Sequence, residues 1–296
     1  RETEPGREPR IGRRAAAILL AAGAAVVALA LGAAAIPTMH RLSEHPETLV
    51  LAHRGFGEGG VENTVCGLEA AARTGADLVE MDVMQTKDGR FVVMHDANLS
   101  RLAGQDVAVK DLTLDELTGI TVRDLIGHEC AIPSLAEYVT RAADLGMPLL
   151  IEIKLGGADT PDHVERLVAE LESLGALDTN IYHTLDAASA AELKRLRPDL
   201  TVGYIMPFAG LGVPDTTADF IVVEEWSATE DMQRDTAAAG LGFLAWTVNG
   251  ESGMREHLRR GTDGIISDHP DVALAAREEM DEETGLADTL IDALTR

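Results

Sequence analysis

Asp77-Leu-Val-Glu-Met-Asp-Val-Met-Gln-Thr-Lys-Asp-Gly-Arg-Phe-Val-Val-Met-His95 sets two apolar runs on either side of an Asp-Gly turn. Asp77 to Val83 is short, apolar and rich in β-formers, so it reads as a buried strand. The period of two puts Glu80 and Asp82 on the same face. Two carboxylates sharing one buried face repel, and one must protonate unless a cation lies between them. A hard divalent ion, Mg²⁺ or Ca²⁺, suits such an all-oxygen site. Asp88-Gly89 is a two-residue hairpin signal, which makes Phe91 to His95 the antiparallel return. With Lys87 facing Arg90, the count along the ladder sets His95 opposite Asp82, so an imidazole reaches the carboxylates.

Outward from this stretch, short apolar runs alternate with helical patterns, the signature of βα units and a parallel sheet. The expected strands are Leu49 to His53, Asp77 to Val83, Leu149 to Lys154, Asn180 to His183, Val202 to Met206, Phe220 to Glu224, Phe243 to Val248 and Gly264 to Ser267. Eight parallel strands with intervening helices imply an α/β fold of the (β/α)₈ TIM-barrel type, whose functional residues stand at strand C-terminal ends. The segment from Ala97 to Pro133 is expected as a loop and short helix over the barrel mouth. In Leu149-Leu-Ile-Glu-Ile-Lys154, Glu152 and Lys154 share a face, bringing a third carboxylate and an ammonium to the same mouth. His183, Glu224, Glu225 and Asp268 also fall near strand ends, but with only fold position behind them they read as structural or peripheral.

The chain carries 50 acidic against 25 basic side chains and a formal net charge of −25. No basic stripe offers itself to a nucleic-acid backbone, so a phosphate would have to be met locally. At 46% hydrophobic and 3% aromatic, the core is built from Ala, Leu, Val and Ile. Two cysteines are too few for a disulfide framework. Cys66 reads as a small core residue on a helix and Cys130 as part of an irregular stretch, and the sequence does not decide whether they pair.

The amino terminus has a different chemistry. Residues 15–36 carry no charged side chain and, at about 1.5 Å per residue, would cross a bilayer as one transmembrane helix. Arg1, Arg7, Arg10, Arg13 and Arg14 precede it. The positive-inside rule then keeps 1–14 in the cytoplasm as a basic segment and sends the rest outside, as a cell-membrane protein with a single span. The alternative is a signal peptide cleaved near Ala33-Ala34-Ala35 and a secreted product. The expected organisation is completed by a linker over 37–47, the barrel over 48–277 and an acidic tail over 278–296.

The motifs Leu51-Ala-His-Arg-Gly55, Glu62-Asn-Thr64, Glu80-Met-Asp82, Lys87-Asp-Gly89 and His95-Asp96 occur in that order. In this the chain resembles the glycerophosphodiester phosphodiesterase family, with Val61 where the family pattern has proline. That substitution bears on loop rigidity and leaves the chemistry intact. The resemblance runs from about residue 48 to 275, through Ile151-Glu-Ile-Lys154, Trp246-Thr-Val-Asn249 and Asp263-Gly-Ile-Ile-Ser-Asp268. It implies metal-dependent hydrolysis of glycerophosphodiesters to glycerol 3-phosphate and an alcohol. His53 and His95 would be acid and base, and Glu80, Asp82 and Glu152 the ligands of a divalent cation, Ca²⁺ or Mg²⁺. Arg54 and Lys154 would contact phosphate, Trp246 the glycerol moiety, with Glu62 and Asn63 in support. Alternatives are a lyase-type phospholipid phosphodiesterase that releases a cyclic phosphate, and a catalytically silent membrane-tethered binding protein. Some family members carry a multi-helix membrane domain. A chain opening on Arg1 is compatible with being the carboxy-terminal part of such a protein, 15–36 then being its last span.

Overall fold

The computed structural model describes residues 48–206 and 212–280. The basic segment, the expected span 15–36, the linker and residues 281–296 of the acidic tail lie outside the described residues. Among the described residues no helix is long and apolar enough to cross a membrane.

Eight parallel strands close into a barrel: β1 (Leu49–Ala52), β2 (Leu78–Gln85), β6 (Leu149–Ile153), β7 (Ile181–Thr184), β8 (Val202–Met206), β9 (Phe220–Glu224), β10 (Gly242–Trp246) and β11 (Gly264–Ser267). The order runs β1, β11, β10, β9, β8, β7, β6, β2, and β2 returns to β1 through Leu51 facing Leu78. Helices α1 (Val65–Thr74), α4 (Leu135–Asp144), α5 (His163–Ser173), α6 (Ala187–Leu196), α7 (Glu230–Ala238) and α8 (Glu251–Arg259) lie between strands, and residues 270–280 form α9. This is the expected (β/α)₈ architecture.

The β2–β6 excursion holds β3 (Phe91–Val93), α2 (Ser100–Ala103), α3 (Leu114–Thr118) and the two-stranded ribbon of β4 (Thr121–Arg123) and β5 (Glu129–Ala131). Leu99, Leu102, Val109, Leu114, Leu117, Val122 and Ile132 bury into one cluster with Val61, Met84, Val92 and Met94. The excursion is thus a packed cap with its own core, more structured than the loop and short helix expected.

Period-two alternation explains where the chemistry sits. Leu49, Leu51, Leu78, Leu150, Ile181, Ile205, Phe220, Val222, Leu244 and Ile266 fill the barrel interior. Two residues further along the same strands come His53 after Leu51, Glu80 and Asp82 after Leu78, Glu152 after Leu150, His183 after Ile181, Trp246 after Leu244 and Asp268 after Ile266. Each of these six strands is therefore apolar at its base and carries a polar or indole side chain at its C-terminal end, as a barrel with a floor of aliphatics and a reactive mouth requires. The parallel register aligns Asp82 with Glu152 and Glu152 with His183.

Two expectations need correction. The hairpin pairs Val83 with Val93, Met84 with Val92 and Gln85 with Phe91. Its loop is Lys87-Asp88-Gly89: the Thr86 N–H donates to the Arg90 carbonyl (2.9 Å) and the Gly89 N–H to the Thr86 carbonyl (2.9 Å), with Gly89 at φ 73°. A three-residue loop ending in a left-handed glycine is the next commonest hairpin after the two-residue one. Here the Asp88 carboxylate selects it by accepting from the Thr86 hydroxyl and the Leu114 N–H. Met94 consequently faces Asp82, its N–H donating to the Asp82 carbonyl at 3.0 Å, and His95 lies one residue beyond.

The second correction concerns the cysteines: a disulfide joins Cys66 and Cys130, with Cα atoms 6.4 Å apart and a sequence separation of 64. It fastens the first turn of α1 to β5 of the cap. A half-cystine in a short edge ribbon gives no periodic signal of its partner.

Candidate functional site

The loop after β1 begins the site. Arg54 adopts φ 55° and Gly55 φ 95°. A side chain at position 55 would collide with the α1 backbone, since a Cβ there would stand 2.7 Å from the Gly67 carbonyl carbon. Thr64 caps α1, accepting from the Gly67 N–H, and its hydroxyl donates to the Val61 carbonyl at 2.7 Å. The strained left-handed conformation of Arg54 is held in part by its own N–H, which donates to Glu80 Oε2 at 3.0 Å.

Four buried groups crowd the mouth. Glu80, Asp82, Glu152 and His183 are each at most 7% exposed. Glu80 Oε1 lies 3.6 Å from His183 Nε2. Lys154 Nζ stands 3.1 Å from Glu152 Oε1 and 3.6 Å from Asp82 Oδ1, and Arg54 Nε 3.4 Å from Asp82 Oδ2. Burial and then the Asp82 charge push the Glu152 carboxyl up to about 7. Glu80 moves the other way: burial alone would raise it, but His183, His53 and Arg54 together hold it well below the usual carboxylate range. Adjacent acids driven in opposite directions mark a site where charge is concentrated.

Two asparagines clamp two aspartates in the same manner. Asn63, at φ 54°, donates through Nδ2 to Asp82 Oδ2 (2.7 Å) and accepts at Oδ1 from the Asp82 N–H (3.0 Å). On the other side of β1, Asn249 donates to Asp268 Oδ2 (2.7 Å) and accepts from the Asp268 N–H (2.9 Å). Asp268 in turn holds His53, with Oδ1 2.6 Å from Nδ1. Burial alone would lower the His53 imidazole, but the hydrogen bond to Asp268 and the Glu80 charge outweigh it, and its pKa lies above the ordinary histidine value. The Trp246 ring is tilted 57° to that of His53, centroids 6.4 Å apart.

His95 is fixed separately, its Nδ1 2.8 Å from Asp96 Oδ1. It lies on the loop after β3, beside the cap.

Of the site residues expected from sequence, four line one cavity, and His95 is not among its lining. His53, Glu80, Glu152 and Trp246 line a cavity together with His183, Ile205 and Ile266. Arg54, Asp82 and Lys154 stand around its carboxylates. Glu62 and Asn63 lie on the capping loop, and Glu62 accepts from Arg54 at 3.1 Å. Sequence reasoning passed over His183 and Asp268, although both occupy inward positions of the same period-two pattern that selected Glu80 and Glu152. Asn249, Asp96 and Arg101 carried no such signal.

Within the described residues, the three groups whose ligand atoms fall within 4.8 Å of one another are Glu80, Glu152 and His183. Asp82 stands in register with Glu152 but outside that trio. Asp82 Oδ1, Glu152 Oε1 and both ring nitrogens of His183 are buried and take part in no hydrogen bond. Arg54 and Lys154 bring two positive charges against the three carboxylates of Glu80, Asp82 and Glu152, so the donor set fits a cation.

The sequence model of the glycerophosphoryl diester phosphodiesterase family matches residues 53–272. A glycerophosphodiester phosphodiesterase of Caldanaerobacter subterraneus subsp. tengcongensis is 30% identical over 238 residues, covering 77% of this chain and 97% of that protein. An Oleispira antarctica phosphodiesterase, solved in complex with the product sn-glycerol-3-phosphate, superposes with a TM-score of 0.70 at 26% identity. The match covers 78% of this chain and 97% of that one. A glycerophosphodiester phosphodiesterase from Parabacteroides distasonis gives 0.69 at 26% identity, over 79% and 98% of the two chains.

Proposed function

This chain belongs to the glycerophosphoryl diester phosphodiesterase family, and from that premise we propose that it hydrolyses glycerophosphodiesters to glycerol 3-phosphate and an alcohol with His53 and His95 as its acid–base pair. One observation carries the reading: His53, its Nδ1 held by Asp268, lines a cavity with Glu80 and Glu152, while His95, its Nδ1 held by Asp96, is linked to Arg54 through Arg101 and Glu62. With Nδ1 engaged, Nε2 is the nitrogen left to exchange a proton with the substrate.

Attack at phosphorus needs positive charge on the non-bridging oxygens, a base for the nucleophile and an acid for the leaving alkoxide. Arg54 and Lys154 meet the first need. The Trp246 indole N–H, buried and without a partner, is a donor for a substrate oxygen. A divalent cation, Mg²⁺ or Ca²⁺, held by Glu80, Asp82 and Glu152 with His183 beside them, would add positive charge at the same oxygens when bound. In the first step the glycerol 2-hydroxyl gives its proton to one histidine as its oxygen bonds to phosphorus. The alcohol leaves with a proton from the other histidine, and a cyclic phosphate remains. Water then opens the ring with the two roles exchanged, giving glycerol 3-phosphate. The relative solved with that product supports this assignment of product.

The barrel is proposed to work outside the cytoplasm, tethered through residues 15–36. The Cys66–Cys130 disulfide supports an oxidising compartment.

The metal reading is tested by titrating Mg²⁺ or Ca²⁺ into chelator-stripped protein in a calorimeter. Binding should be lost or weakened in Glu152→Gln, and turnover should disappear on stripping and return with the ion. Full turnover by metal-free protein would overturn that part of the reading.

A further inference from the structure

We propose that Arg101 is a positioning residue for His95, tying that histidine to the Arg54 side of the active site through the carboxylates of Asp96 and Glu62. The inference rests on His95 acting as proposed above.

Arg101 sits in α2, a four-residue helix of the cap. Its guanidinium engages two carboxylates with three nitrogens: Nε donates to Asp96 Oδ2 at 2.6 Å, and the two terminal nitrogens donate to Glu62 Oε2 and Oε1 at 2.7 Å each. Asp96 holds His95 Nδ1, and Glu62 also accepts from Arg54. The result is one continuous chain, His95–Asp96–Arg101–Glu62–Arg54, whose two ends are residues of the proposed chemistry. Both carboxyls respond: against the upward effect of burial, the Arg101 hydrogen bonds hold Glu62 and Asp96 below their ordinary values.

An exposed ion pair is worth little on its own, and the Arg101 side chain is 47% exposed. The fork geometry is what matters. A guanidinium spans two carboxylates at fixed angles, which a lysine ammonium cannot reproduce. All three of its nitrogens donate to Glu62 or Asp96. Arg101 does not hold the cap in place. Leu99 and Leu102 on either side of it bury into the cluster that also contains Val61 and Met94, the neighbours of Glu62 and His95. Apolar packing places the backbones, and Arg101 sets the imidazole.

The test compares Arg101→Lys and Arg101→Met in the wild-type and His95→Ala backgrounds, in the full chain, with release of glycerol 3-phosphate as the readout. A misplacement of about 1 Å costs up to about 100-fold in rate, so each variant should lose about 10-fold to 100-fold in kcat, with KM changed less than about twofold. In the His95→Ala background the same substitutions should have almost no further effect, because the residue they act through is gone. Unchanged kcat, a loss expressed in KM, or an equal loss in both backgrounds would overturn the proposal. The ¹³Cε1 resonance of His95 gives a readout without turnover: it should shift or broaden in Arg101→Lys, and an unchanged resonance would refute the inference. Wild-type protein that releases no glycerol 3-phosphate would instead defeat the functional reading, and the His95 spectrum would still decide the role of Arg101.

Discussion

Replacing Cys66 and Cys130 with serine removes a single covalent link, and its energetic consequence follows from the chain path. The bridge closes a loop of 64 residues in the unfolded protein. By the chain-closure relation, a loop of that length takes about 4 kcal/mol of conformational freedom from the denatured state at 25 °C. The native fold has another means of holding the same surfaces together, since the buried cluster of the cap also takes in Val61 of the loop after β1. The double serine variant should therefore fold, with its unfolding free energy in urea reduced by about 4 kcal/mol and the m-value raised by its more expanded denatured state. For a domain of this size, that corresponds to a melting point lower by about 8–16 °C. A variant matching the wild type within about 1 kcal/mol, or thiols in the unreduced native protein that react with a thiol reagent, would refute the reasoning.

Asp268→Asn keeps the shape of the clamp on His53 but removes its charge. It should lower kcat by about 10-fold to 100-fold, and His53, followed by NMR, should titrate at a lower pH than in the wild type, because the carboxylate that lifts it is gone. Buried His257 gives a pH-dependent stability of known sign. Burial, and then the Arg260 charge, lower its pKa to about 4, so it stays neutral in the fold while the unfolded chain takes up a proton below about pH 6.5. Its contribution is intact above that value, and as pH falls toward 4 up to about 3 kcal/mol is lost. His257→Gln should flatten that part of the urea-stability profile against pH.

The barrel was legible because its strands are short, apolar and sharply bounded. Val202–Met206, Phe220–Glu224 and Gly264–Ser267 agree residue for residue with expectation, and the other strands differ by one or two positions at one end or both. Strand ends are set by hydrogen bonds to neighbours, which local composition does not encode. The hairpin register slipped for a different reason. Asp-Gly favours a two-residue turn in isolation, but the Thr86 and Asp88 side chains pay for a three-residue one.

Within the site, Glu80, Asp82, Glu152, Lys154 and His53 could be placed together from period two and motif order. His183 and Asp268 were equally readable by position, but nothing local distinguished a structural from a reactive polar group at a strand end. Arg101 could not have been found this way. Its partner Glu62 is 39 residues distant, and the contact exists only because the cap folds back on the loop after β1. The Cys66–Cys130 pairing was hidden by the same folding back.

The proposed acid–base pair stands or falls on incubating the purified protein, supplied with Mg²⁺ or Ca²⁺, with a panel of glycerophosphodiesters and measuring release of glycerol 3-phosphate by wild type, His53→Ala and His95→Ala. Wild type should release it from at least one member. Each histidine variant, folded by circular dichroism, should be slower by about 10²- to 10⁴-fold, the loss expected for one acid or base. No release from any member, or near-wild-type turnover by either variant, would contradict it.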